Sequence, residues 1–213
     1  MKTLVSAAVL CGLAANVFAQ GTIIFNNRVT GQVVAPVYGP LGPTDTTALT
    51  GNTPSGFPAG SQNYGGRPLL AGAGYYAQLF AGPQGTPEAS LLPVPGTLVT
   101  FRTGGFAGFI AAPTEPVSIP GVPQGQVATM QLRAWENQGG SISTWAAAEA
   151  LWLSGTIAAG KSLVFDSPAL AGGITPPPNL LGLQSFNIYY IPEPGTLALL
   201  GLGALGLMVF RRK

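Results

Sequence analysis

Val127-Ala128-Thr129-Met130-Gln131-Leu132-Arg133-Ala134-Trp135 is the stretch on which the fold turns. Every second residue is small or aliphatic: Ala128, Met130, Leu132 and Ala134. Val127, Thr129, Gln131, Arg133 and Trp135 fall between them. Side chains of a strand point alternately to its two faces, so this is the period of a β-strand buried on one side. Phe186, Ile188 and Tyr190 alternate with Ser185, Asn187 and Tyr189 in the same way. Shorter strand candidates lie at 22–26, 33–38, 75–80, 98–102 and 162–165. Gly and Pro clusters separate them, as at Gly39-Pro40-Leu41-Gly42-Pro43 and Gly82-Pro83-Gln84-Gly85, where fixed and permissive φ values favour turns. Many short strands punctuated this way predict an all-β domain of β-sandwich or jelly-roll type.

One segment departs from that pattern. Residues 143–153 hold Ala146, Ala147, Ala148, Glu149 and Ala150, all good helix formers. A short helix is expected there, capped by Ser143 and ended by Gly155, with Trp145 and Trp152 on its packed face. Residues 39–68 carry few large apolar side chains and read as a long surface excursion. Thr175-Pro176-Pro177-Pro178 is a stiff polyproline piece, kept inside the domain because the strand-like Phe186 to Ile191 follows it.

Composition narrows the chemistry. Charged residues make up 8% of the 213, against roughly 25% in an average soluble domain. Gly and Pro number 31 and 20, and His is absent. Without His, and with one Cys, neither a His/Cys zinc site nor a Ser-His-Asp or Cys-His centre can be assembled. No disulfide framework is possible either. Between residues 20 and 191 the cations are Arg28, Arg67, Arg102, Arg133 and Lys161. The anions are Asp45, Glu88, Glu115, Glu136, Glu149 and Asp166. No run of cations is present to neutralise phosphates, so no nucleic-acid partner is expected. The domain is thus near neutral, and the positive balance of the chain, +2 overall, comes from the two ends.

Those ends read as targeting segments. Lys2 precedes an apolar run over residues 4–13, and a short polar-to-small stretch closes on Val17-Phe18-Ala19. This is the order of a secretory signal peptide over residues 1–19, with signal peptidase cutting after Ala19. The sole Cys, Cys11, leaves with it, so an oxidising compartment is harmless to the mature chain. At the other end Ile191-Pro192-Glu193-Pro194-Gly195-Thr196 leads into apolar residues 197–210 and then Arg211-Arg212-Lys213. Residues 196–210 make a helix about 22 Å long, short of the roughly 30 Å hydrocarbon core. Local thinning and snorkelling of the terminal cations close the gap. Arg211, Arg212 and Lys213 form the stop and set the orientation, held in the cytoplasm by the positive-inside rule. Gly201, Gly203 and Gly206 fit G-x-G-x-x-G, but the chain ends before the acid a dinucleotide site needs.

The tail closely resembles the PEP-CTERM sorting signal. Pro192, Glu193 and Pro194 match the motif, residues 197–210 the membrane segment and residues 211–213 the basic end. The resemblance covers about 22 residues, 192–213, and leaves the domain at 20–191 unassigned. It implies an exported protein of a Gram-negative bacterium, held transiently in the inner membrane. It also implies recognition by an exosortase, a membrane-embedded, Cys-dependent, transpeptidase-like enzyme. Such systems accompany exopolysaccharide production. Pro on either side of Glu193 fixes φ and blocks helix continuation, which keeps the motif extended for reading at the membrane surface.

For the domain itself the leading expectation is a non-enzymatic cell-surface or extracellular-matrix protein without cofactor or metal. The alternative is a carbohydrate-binding or adhesive module using Tyr38, Tyr64, Tyr75, Tyr76, Trp135, Trp145, Tyr189 and Tyr190. It requires an exposed row of two or three aromatics on one sheet face. A secreted hydrolase would need two carboxylates about 5 to 10 Å apart, drawn from Glu115, Glu136, Glu149 and Asp166. Catalysis is not expected.

Overall fold

Punctuation by Gly and Pro breaks the chain into short strands, two of which grow long. A computed structural model describes residues 20–192. In chain order the strands are β1 (Gln20–Ile23), β2 (Arg28–Val29), β3 (Val33–Val34), β4 (Val37–Tyr38), β5 (Gly72–Pro83), β6 (Leu92–Pro93), β7 (Val99–Phe101), β8 (Val117–Pro123), β9 (Ala128–Glu136), β10 (Ala159–Lys161), β11 (Phe165–Asp166) and β12 (Phe186–Asn187). The helix α1 (Trp145–Leu153) lies between β9 and β10.

β5 and β9 pair antiparallel and form the centre of a six-stranded sheet. β10 and β11 pair with β9, and β6 and β7 pair with β5. The register Ala77↔Ala134, Leu79↔Leu132 and Ala81↔Met130 gathers the small and aliphatic residues on one face. That face packs with Ile23, Val33, Val37, Ile119, Phe186 and Ile188 in the main core. These partners come from β1–β8 and β2–β3, both antiparallel, and from the parallel pair β4–β12. The all-β class therefore holds, with one helix. As a sandwich it is lopsided: one broad sheet faces a layer of two-stranded ladders.

The other face of β9 corrects the sequence reading. Burial on one side only would leave Thr129, Gln131, Arg133 and Trp135 open, yet all four are buried. A second cluster covers them, built from Phe80, Trp135, Trp145, Ala148 and Trp152, with α1 and the turn Glu88–Ser90 above. Burial of the four is tolerated because their own polar groups are engaged, although Trp145 Nε1 in the covering cluster has no partner among the described residues. Gln131 Nε2 donates to the Ser162 carbonyl at 2.9 Å, and Thr129 Oγ1 to Asp166 at 2.6 Å. Arg133 donates to Gln131 Oε1 and to the Glu88 carbonyl, and its guanidinium lies 4.1 Å from the Phe80 ring centre.

Element boundaries shift for local reasons. Thr144, not Ser143, caps α1: its side chain accepts from Ala147 N–H. Gly155 ends the helix at φ 75°, with its N–H on the Trp152 carbonyl and that of Thr156 on Leu151, a Schellman closure. The expected strand at 33–38 splits at Pro36, which has no N–H to give. At 162–165 the ladder is interrupted as well. Ser162 N–H reaches the Leu132 carbonyl while Leu132 N–H turns to Ser162 Oγ.

Residues 39–68 are the long surface excursion expected, and it is pinned to the domain. Arg67 grips Asp45 with two hydrogen bonds of 2.8 and 2.9 Å. Asn52 Oδ1 accepts from Ser185 N–H, and Tyr64 stacks on Tyr38 with ring centres 3.8 Å apart. The polyproline piece belongs to the domain as expected: Ile24 N–H donates to the Pro178 carbonyl.

Candidate functional site

The end of the domain is built around a buried Asn. Asn187 Oδ1 accepts from Leu49 N–H at 2.7 Å, and its Nδ2 donates to the Thr47 carbonyl at 2.9 Å. One side chain thereby joins the 39–68 loop to the closing strand. Beyond it each backbone group finds a different partner. Ile188 N–H donates to Tyr38, Tyr189 exchanges both bonds with Ala159, and Tyr190 N–H reaches the Asp45 carbonyl at 2.9 Å. Trp152 Nε1 adds a bond to the Tyr189 carbonyl at 2.8 Å. The Tyr190 hydroxyl donates to Glu136, whose carboxylate also receives Ala158 N–H. Burial first, then the charge of Glu136 and the bond to it, push the Tyr190 phenol up to about 12.

From there the chain emerges. Ile191 is half-buried and Pro192 is exposed. Glu193, Pro194, Arg211, Arg212 and Lys213 lie outside the described residues, as do Ala19 and the expected signal peptide. Among the described residues no helix is long and apolar enough to cross a membrane; the expected span falls beyond them.

The candidate acids are dispersed. Glu136 ends β9, while Asp166 pairs with Thr129 near its start, seven strand positions or about 23 Å away. That separation exceeds the span of a glycosidase pair. Glu115 is exposed on a loop, and Glu149 is half-buried on α1. Glu136 and Asp166 are each already engaged, the latter by Thr129 Oγ1 and Gln84 Nε2.

The candidate aromatics mostly point inward. Tyr64, Trp135 and Trp145 are buried, and Tyr38, Tyr75, Tyr76, Tyr189 and Tyr190 are half-buried. Tyr38 and Tyr64 line a groove of about 450 Å³ with Thr53, Gln62, Asn63 and Arg67. Two exposed rings were missed: Phe57 at 42% and Phe106 at 46%. Their contexts, Ser55-Gly56-Phe57-Pro58 and Gly104-Gly105-Phe106, supply the overlooked signal. A large ring amid turn residues has no strand period to carry it into a core.

Residues 191–213 match the PEP-CTERM protein-sorting motif. The chain thus carries the tail of an exported protein that an exosortase-type enzyme processes at the membrane. No curated protein and no solved structure matches the chain.

Proposed function

We propose that this protein is a non-enzymatic component of the cell surface or extracellular matrix, associated with exopolysaccharide. A signal peptide over 1–19 starts its export, and residues 196–210 anchor it for a time in the inner membrane. Pro192-Glu193-Pro194 is the recognition element, and Arg211, Arg212 and Lys213 stop transfer and fix orientation. The match over 191–213 carries this reading. The domain agrees with it, since the chain is fixed to Tyr190 and presents Pro192 at the surface.

The test is the mass of the protein recovered from envelope or medium in a host with the processing enzyme. Wild type is expected to lose Met1 to Ala19 and the tail beyond the motif. Glu193→Ala leaves the apolar run and terminal cations intact, so it should accumulate uncut in the membrane. Deleting residues 211–213 should let the tail slip through or insert wrongly. A mature form that keeps residues 197–213, with Glu193→Ala behaving like wild type, would sink the reading.

A further inference from the structure

The domain has five cations, and three are engaged. Arg67 pairs with Asp45, Lys161 pairs with Glu88, and Arg133 is buried against Phe80. Arg28 and Arg102 are exposed, and among the described residues their side chains make no ion pair or hydrogen bond. Yet they converge. Arg28 lies 4.7 Å and Arg102 5.9 Å from the centre of the Phe106 ring, and Arg28 also lies 5.2 Å from Phe109.

This meeting is built by the backbone. Asn27, next to Arg28, is fully buried. Its Nδ2 donates to the carbonyls of Ala35 and Gly108, and its Oδ1 accepts from Ile110 N–H at 2.9 Å. Arg102 N–H closes the 102–109 loop on the Phe109 carbonyl at 2.8 Å. One buried amide thus clamps the Arg28 strand to the loop that carries Phe106.

A row extends from it. Arg28 pairs with Val34 and Val34 with Phe57, both antiparallel, and directly paired residues share a face. Two strand spacings separate Arg28 from Phe57, about 10 Å. Phe106, Arg28, half-buried Val34 and Phe57 therefore form an exposed line of ring, cation, aliphatic and ring, flanked by Arg102.

We propose that this row binds a carboxylate-bearing polysaccharide. Guanidinium groups meet carboxylates with paired hydrogen bonds, and the apolar faces of sugar rings lie on half-exposed aromatic rings. Repetition of the acid along a polymer raises weak single contacts to useful avidity. A membrane surface fits less well. The parallel register Phe186↔Val37 carries the tail onward past Tyr38, whereas Val34, the partner of Arg28, precedes Val37. The inference rests on the reading above that the protein meets polysaccharide outside the cell.

The experiment is calorimetry on the full chain in zwitterionic nanodiscs, titrated with oligogalacturonate and, separately, with its methyl ester. The free acid should bind about tenfold or more tightly than the ester, the size of one charge-assisted hydrogen bond, and binding should weaken as salt rises. Arg28→Gln with Arg102→Gln should remove that preference, while Phe57→Ala and Phe106→Ala should weaken both titrations. Equal binding of acid and ester, no binding of the acid, wild-type binding by the double Gln variant, or a response to anionic vesicles alone overturns the proposal. The double Gln variant should still be processed to the wild-type mature mass, which separates failure of this proposal from failure of the sorting reading.

Discussion

Arg133 shows how a charged residue is accommodated on a covered sheet face. Its guanidinium sits between Phe80 and Trp145, with two hydrogen bonds beneath them. Arg133→Lys is expected to lower stability by about 3 kcal/mol, because an ammonium cannot make the planar stack and remains buried without a full set of acceptors. A urea midpoint shift at unchanged slope measures it. Tyr190 gives a different reading at the same scale. Its phenol is raised from the ordinary 10.0 to about 12 by burial, by Glu136 and by Tyr75. A raised acid pKa means that folding favours the protonated form. The stabilisation is therefore complete below pH 10 and is lost as pH climbs toward about 12. Tyr190→Phe should flatten that part of the stability profile, followed by thermal melts across the window. Neither role was legible in the sequence. The alternation of 127–135 gave the strand and the main core face correctly. Nothing in a period of two, however, tells whether a polar row meets water or a helix folded back from ten residues further on.

At the scale of elements, the 39–68 loop and α1 mark the limits of pattern reading. The alanine run and Gly155 identified the helix, and Trp145 and Trp152 do form its buried face. The loop was opaque because polar side chains with distant partners hold it. Asp45 and Arg67 are 22 residues apart, and Asn52 bonds Ser185 across 133. No local rule links such positions. Burial acts against the charge on Asp45, but the hydrogen bonds from Leu41, Arg67 and Thr47 and the charge of Arg67 outweigh it and hold the carboxyl below its ordinary 3.8. The pair thus stabilises the loop above that pH and releases it as pH falls below. Asp45→Ala leaves the Arg67 guanidinium nearly closed to water without its partner, at a cost of about 1–3 kcal/mol. Limited proteolysis at pH 7 should then cut wild type slowly and the variant first within 39–68.

The domain closes at the last of its described strands, β12. Phe186 and Ile188 are fully buried in the main core, and β12 is the partner of β4. A chain stopped after Ser185 is therefore expected not to fold, having lost two core side chains and the bonds to Tyr38, Ala159 and Asp45. A chain stopped after Ile191 keeps all of them and should melt as wild type does. Circular dichroism on the two truncations, set against the full chain, checks the boundary at 191 that the change from strand period to Pro-Glu-Pro marked in the sequence.

The stitching of late residues to early ones also sets an order of events. Thr22 pairs with Ala171, Ile24 with Asn179 and Val37 with Phe186, so contacts span most of the domain and folding must wait for distant partners. In an exported chain that emerges N-terminus first, β4 can pair with residues 68–70 on one edge, but the edge that Phe186 and Asn187 fill stays open until the end of the domain arrives. Its closing strand arrives only eleven residues ahead of Leu197, where the apolar run begins. On the sorting reading proposed above, completion of the fold and arrival of the anchor thus nearly coincide. A copy truncated in synthesis before Phe186 leaves an open edge beside β4 for proteases to find, while a full-length copy seals that edge just as its address label comes into view.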